Sequence, residues 1–339
     1  VAPKPPNERV TLPDIARMAG VGLGTASRAL RDAPGVSPAT RDRVLAVAEQ
    51  MSYVVSPQAS SLRRGTTGRI AVVVPHLDRW FFGAVVTGLQ GVLREAGLDV
   101  LLYGVGDLHD RRDFFERLPA RRQVDAVVVV AFQLDDAEQR RLSLMGVRIV
   151  AAGGQAAEYP HVGIDDLVAG RQAMDHLLYL GHRRIGMLEA RDPDQPGLDS
   201  GRSTAYHDAL RDAGLEPDPE LIVTSDWGGE NGAESMARLL SLREPPTAVY
   251  AHSDEVALGA LRTLRRAGLQ APQDISVIGI DDHPHAALAD LTTVRQPVPE
   301  QGALAAENLL ALLNGEDVEQ AITLPTRLVV RCSTAPPRR

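Results

Sequence analysis

The chain has 339 residues, 44% of them hydrophobic and 24% charged, enough for a buried core plus at least one further domain. It contains no run of eighteen apolar residues, it opens on the polar VAPKPPNERV, and its one cysteine is Cys332. A membrane span, a secretory leader, a disulfide framework and a thiolate metal cluster are therefore not expected, and a cytoplasmic location is. The net charge of -8 is unevenly spread, because residues 1 to 65 carry nine basic and five acidic groups while the remainder carries 27 and 39, so a basic head suited to a polyanion precedes an acidic body.

Thr11 with Asp14 three residues on is a capping-box pattern, and Leu12, Ile15, Ala16 and Ala19 form one apolar stripe, so a first helix opens there and stops at Gly20. After Gly20-Val21-Gly22 a second helix, Leu23 to Leu30, turns Ala26, Ala29 and Leu30 inward and leaves Gly24, Thr25, Ser27 and Arg28 outside. Ser37 caps a third helix that has Pro38 at its first position and a stripe of Val44, Val47, Ala48 and Met51. Two short helices about a glycine turn are a helix-turn-helix arrangement, and the third closes a small core. Past Pro57, the stretch QASSLRR is about two turns long, too short to hold as a helix alone in water, and Gly65-Thr66-Thr67-Gly68 is a joint.

From Arg69 onward, apolar runs of strand length alternate with amphipathic helical stretches: residues 70–74, 99–103, 125–130 and 147–152, then a second series at 184–189, 221–224, 248–251 and 275–280. Near-continuous Val and Ile runs predict parallel strands covered on both faces. Two doubly wound units would leave a cleft at their strand C-termini, where such sheets bind ligands.

On the outward face of the second helix, Thr25 and Ser27 offer hydroxyls to phosphate oxygens, and Arg28 can reach a guanine edge bidentately. A solvated face is the plainer alternative; the trihelical pattern and the local positive charge favour nucleic acid. Gly22-Leu23-Gly24-Thr25-Ala26-Ser27 nearly matches a dinucleotide fingerprint, but a helix rather than a strand precedes it and Ser27 replaces the third glycine. No G-x-S-x-G elbow, H-E-x-x-H helix or P-loop occurs. His283-Pro284-His285 beside Asp281-Asp282 invites a metal, yet its proline-containing loop reads as simple exposed histidines, and His182 in LGHRRI as a structural hydrogen-bonding residue. No catalytic group, cofactor or metal is expected.

VTLPDIARMAGVGLGTASRALRD, VSPATRDRVLAVAEQMSYVVSPQASSLRRG and RIAVVVPHLDRWFF resemble the LacI-type bacterial transcriptional regulators. The resemblance continues through LYLGHRRIGML, SDEVALGALRTLRRAGLQAPQDISVIGIDD and LTTVRQP, in the family order over nearly the whole chain. It implies an all-α helix-turn-helix headpiece at 1–55 and a hinge helix and linker at 56–67. An α/β effector domain like the periplasmic binding proteins follows at 68–339, with two doubly wound parallel-sheet subdomains, 68–166 with 298–326 and 167–297 with 327–339.

Carried over by position, Leu23, Gly24 and Arg28 match base-reading residues, Gly22, Thr25 and Ser27 match phosphate contacts, and Leu62 matches a leucine wedged into the minor groove. The implied effector-binding positions are Phe81, Phe82, Asp165, Arg202, Trp227, Ser253, Asp254, Asp281 and Gln296, a set suited to a polyol. The chain departs from the pattern at Gly24, which bears no side chain, at Ser253, where an asparagine is usual, and at Arg79-Trp80, where Asn-Pro is common. The implied protein is a repressor that binds double-stranded operator DNA as a homodimer under control of a small-molecule effector, a sugar or derivative. A corepressor-dependent regulator of a nucleobase-like or anionic ligand is the alternative, Arg79 being its motive. A sugar-binding transport protein or a sugar-modifying enzyme would need a leader or catalytic groups that are not seen, and the tail RCSTAPPRR carries no heptads for assembly beyond a dimer.

Overall fold

The computed structural model describes residues 10–53, 66–106, 108–121, 123–132, 134–154, 159–191 and 201–338. The chain divides into two units, Val1–Gly68 and Arg69–Arg339. Residues 56–65 of the expected hinge, with Leu62, lie outside the described residues.

The first unit holds helices Leu12–Met18, Leu23–Leu30 and Pro38–Gln50. The Asp14 carboxylate accepts from the Thr11 backbone N–H at 3.1 Å and from its hydroxyl at 2.6 Å, which fixes where the first helix starts. Gly20, at φ 65°, turns the chain out of that helix, and the Val21 N–H bonds back to the Ala16 carbonyl at 3.0 Å. Ile15, Ala26, Ala29 and Val44 form the centre of the core, with Ala16, Ala19 and Ala48 around them. So many alanines let three short helices approach closely, and few large side chains are needed to fill the space.

The second unit contains two six-stranded sheets. In the first, the spatial order is Ala321–Leu324, His161–Ile164, Arg148–Ala152, Ala126–Val130, Arg69–Val74, Asp99–Gly104, and every pairing is parallel. In the second it is Arg327–Val329, Thr292–Arg295, Ser276–Asp281, Ala248–Ala251, Ile185–Ala190, Ile222–Ser225. There the short edge strand Arg327–Val329 runs antiparallel to Thr292–Arg295, a departure from the all-parallel expectation. The central strands are buried along nearly their full length, which is why they read as unbroken Val, Ile and Ala runs.

The chain passes between the sheets three times, at residues 165–166, 296–297 and 325–326. Each lobe also has a pair of helices packed so closely that a glycine is required between them. In the first lobe Trp80–Glu95 meets Val298–Leu313, where a Cβ on Gly88 would stand 1.9 Å from the Pro299 carbonyl oxygen. In the second, Gly229–Leu240 meets Asp254–Arg266, and a Cβ on Gly259 would stand 1.9 Å from the Gly229 carbonyl oxygen. Glycine at these two places is a packing requirement. The C-terminal stretch is sewn onto the second lobe: the Ser333 hydroxyl donates to the Val277 carbonyl at 2.6 Å, and the buried His182 spans Thr247 Oγ1 and the Ala335 carbonyl, both at 2.9 Å.

Candidate functional site

Two places gather the residues singled out from the sequence. On the second helix of the headpiece Arg28 is exposed, and among the described residues of that unit it is the one guanidinium without a hydrogen bond or ion pair. Arg17 is tied to Asp14, Arg31 to Ser27, Arg41 to Asp32, and Arg43 to the Ala19 carbonyl. Leu23 is 51% exposed, and Thr25 and Ser27 are half-buried on the same helix. A Cβ added at Gly22 or Gly24 would meet nothing within 4 Å, so packing does not demand glycine there and the missing side chains leave an open face.

In the body, Arg202 and the hydrogen-bonded pair Asp281–Gln296 lie close enough at the C-terminal edge of the second sheet for the arginine and Asp281 to feel each other's charge. Arg202 is the first residue of the helix Arg202–Asp212 and is 8% exposed. Its Nε donates to Asp166 at 2.7 Å, and its Nη1 donates to the His252 carbonyl. Burial opposes the Arg202 charge, but Asp166 and Asp281 outweigh that effect and raise its pKa. Asp281 ends its strand at φ 128°, a backbone conformation L side chains rarely adopt, and accepts from Gln296 Nε2 at 2.6 Å. Gln296 in turn accepts from Gln301 Nε2 at 2.9 Å. Burial pushes the Asp281 carboxyl up to about 7 even though Arg202 and Gln296 pull it down.

The other sequence candidates have local tasks. Asp165 caps the helix Asp166–Tyr179 through the Val168 N–H at 3.0 Å, while Asp166, which the sequence did not single out, takes the arginine. Ser253 caps Asp254–Arg266 through the Val256 N–H. Asp254 is fully buried and accepts from Thr293 Oγ1 at 2.6 Å and the His283 N–H at 2.8 Å, bracing two strand ends. Burial, with Asp281 nearby, raises its pKa well above the carboxylate range. Phe82 lies in the first lobe's core with Phe81 edge-on at 5.5 Å, and Trp227 packs at the rim of a second-lobe core.

Arg79 and Trp80 reach across the lobes. Arg79 pairs with Asp226 at 3.3 Å and lies 5.9 Å from the Trp227 ring, while the Trp80 N–H donates to Glu255 at 3.4 Å and its ring meets His283 edge-on at 4.9 Å. These residues border a cavity of about 970 Å³ that also takes in Asp78 and His76. Burial lowers the Arg79 pKa, against the pull of Asp226, Glu255 and Asp78. The guanidinium is already compensated, which weakens the case for an anionic ligand. His283 is 8% exposed, caps the short helix Pro284–Leu288 and packs on Trp80, so the expectation of simple exposed histidines is corrected for it; its apolar neighbour makes burial favourable. Among the described residues no group of three His, Cys, Asp or Glu side chains is placed to hold a metal ion.

Sequence reasoning missed a buried polar cluster beside Arg202. Glu189 accepts from Ser203 Oγ and Thr224 Oγ1, both at 2.5 Å, and from Arg191 at 2.7 Å. Burial pushes this carboxyl up, and the three donors overcome it and bring it to about 2. His252, fully buried and with Nδ1 3.3 Å from the Ala190 carbonyl, is lowered to about 4 by burial and by Arg202. The available signal was Glu189 itself, a carboxylate inside the apolar run IGMLEA.

An open basic helix face on one unit, and a charged network between two α/β lobes on the other, define a ligand-responsive DNA-binding class of protein. The family model "Bacterial regulatory proteins, lacI family" matches residues 11–56, and "Periplasmic binding protein-like domain" matches residues 174–334. The repressor CytR of Escherichia coli is 35% identical over 331 residues, covering 96% of each chain, and the regulator CelR of Thermobifida fusca is 34% identical over 95% of this chain and 98% of its own. Among solved structures, the lac repressor dimer bound to operator and the anti-inducer ONPF aligns with TM-score 0.85 at 26% identity over 97% of this chain and 100% of that one. A CelR–cellobiose complex aligns with TM-score 0.71 at 33% identity over 96% and 100%. The chain belongs to the LacI family of bacterial regulatory proteins and is a DNA-binding transcriptional regulator.

Proposed function

We propose that this regulator represses by binding a pseudo-palindromic operator as a homodimer, and that a neutral carbohydrate or derivative in the inter-lobe cleft sets its operator affinity. The headpiece is residues 1–55 and the hinge 56–67. The effector body is 68–339, its lobes being 68–166 with 298–326 and 167–297 with 327–339. Arg28 reads a base edge, Thr25 and Ser27 contact phosphates, and Leu62 wedges into the minor groove between two half-sites. In the cleft, Arg202, Asp281 and Gln296 hold ligand hydroxyls, with Trp227 against an apolar ring face; Phe82, the other candidate for that contact, lies in the first lobe's core.

The observation that carries the effector assignment is the group made of the Arg202–Asp166 ion pair and the Asp281–Gln296 hydrogen bond, coupled by charge. It is buried and rich in both donors and acceptors. Arg202 is neutralised by Asp166, and Arg79, which lines the cavity, by Asp226, so an uncharged polyol suits the cleft better than an anion. The cellobiose held by CelR is a ligand of that kind. Operator binding measured against salt, with and without a panel of sugars and sugar phosphates, tests the reading. Affinity should fall steeply with salt, a neutral sugar should shift it, and Arg202→Ala should lose the shift while keeping the operator. Salt-independent binding would refute the DNA reading, and a response confined to phosphorylated sugars would refute the neutral effector.

A further inference from the structure

The start of the second helix offers a ligand little: Gly22, Leu23 and Gly24 supply no polar side-chain atom. Its other end is furnished differently. Arg31, at the C-cap, folds back along the helix so that Nε donates to the Ser27 carbonyl at 3.0 Å and Nη2 donates to Ser27 Oγ at 2.7 Å. The Arg31 side chain is exposed. Two of its five N–H groups are used, which leaves three for an outside acceptor.

The same contact sets the Ser27 hydroxyl. Its oxygen accepts from a cation, so its own O–H is left to donate, and a hydroxyl that accepts a charge-assisted bond is a stronger donor. Hydroxyl and guanidinium are thereby fixed side by side four residues apart on one helix face. The neighbouring acid, Asp32, does not consume the charge, because it is paired with Arg41. A planar fork next to an O–H donor matches the two non-bridging oxygens of a phosphodiester.

We propose that Ser27 and Arg31 form one composite seat for a backbone phosphate of the duplex, with Arg31 supplying the charge and Ser27 fixing its direction. This rests on the reading of the headpiece as the DNA-binding unit. The seat adds an anchor at the C-terminal end of the helix to the one assigned to Thr25, compensates for the bare Gly22–Gly24 stretch and leaves Arg28 free to read a base. The plainer role for Arg31 is a helix-end cap, in which a basic side chain satisfies a last-turn carbonyl and nothing more.

The test uses the full chain and two duplexes: one selected from a random-sequence pool by the wild-type protein, and an unrelated duplex of equal length. Binding is measured across a salt series for wild type, Arg31→Gln, Arg31→Lys and Ser27→Ala. Arg31→Gln should weaken both duplexes by the same factor and reduce the slope of log K against log salt by about 0.9, the contribution of one phosphate contact. Arg31→Lys should keep the slope, and Ser27→Ala should weaken both duplexes without changing it. A wild-type slope in Arg31→Gln, a lost slope unit in Arg31→Lys, or a loss confined to the selected duplex would each overturn the seat. If Arg31→Gln does not fold, the lysine and Ser27 variants carry the same decision. Wild-type protein that holds neither duplex would instead bring down the DNA reading of the headpiece, and the seat with it.

Discussion

Replacing Asp226 with asparagine tests whether the contacts of Arg79 and Trp80 hold the two lobes together. Asparagine keeps a carbonyl oxygen at the position that accepts from the Trp227 N–H at 2.6 Å, so the turn should survive and only the charge is lost. At 3.3 Å two unit charges in an effective dielectric of about 20 attract by about 5 kcal/mol. The Asp226 side chain is 46% exposed, and desolvation of Arg79 works against the pair, so the net contribution falls to about 1 kcal/mol. Once the partner is gone, the Arg79 side chain, only 16% exposed, keeps just the more distant pull of Glu255 and Asp78, and the lobe equilibrium should shift by about 1–2 kcal/mol toward opening, a factor of roughly five to thirty. The protein carries a built-in reporter, because its two tryptophans, Trp80 and Trp227, both lie at this contact. Ligand-free Asp226→Asn should show red-shifted emission and stronger acrylamide quenching than wild type, and high salt should move wild type the same way. Identical emission and quenching in the two proteins would refute the argument.

Four further outcomes are expected, the one at Leu62 from the family resemblance alone. Gly259→Ala places a methyl group 1.9 Å from the Gly229 carbonyl oxygen, so the helix pair must separate at a cost of about 1–3 kcal/mol; an unchanged thermal midpoint would contradict this. Arg28→Ala should relax preference at one base pair by about 1–3 kcal/mol, read by competition among duplexes that differ at that pair. Leu62→Ala should weaken the selected operator far more than an unrelated duplex, and equal losses would remove the wedge. Asp281→Asn should change the pH dependence of stability. Asp281 titrates near 7 in the fold against 3.8 unfolded, so it makes stability fall as pH rises across that range. His252, near 4 against 6.5, makes stability rise between those values. The asparagine variant loses the first effect and keeps the second, so between pH 4 and 6.5 its melting temperature should climb more steeply than that of wild type.

What the sequence made legible follows periodicity and burial. Runs such as IAVVV and AVVVV are buried on both faces, and that leaves a mark no surface strand would carry. The helix starts at Thr11 and Ser37 were readable because capping chemistry is local. His161–Ile164, Thr292–Arg295, Ala321–Leu324 and Arg327–Val329 were not read. They are three or four residues long and partly polar, and their strand character comes from the neighbours they pair with. The site divides in the same way. Arg202 and Asp281 came from position in a family pattern, whereas Asp166 and His252 became visible only when segments far apart in sequence were brought to one edge. Arg79 looked like an available charge until Asp226, 147 residues away, was found beside it.

The threefold passage of the chain between the lobes bears on how such proteins can be recombined. Neither lobe is a continuous stretch of sequence, so a splice that exchanges one must be made at three junctions at once, and a single cut at the first crossover leaves the first sheet with its edge strand Ala321–Leu324 from the other parent. Residues up to Gly68, by contrast, form a unit in one piece. Chimeras that graft a new address-reading head onto an existing sensor need one junction, while sensors themselves have to be inherited whole and changed residue by residue.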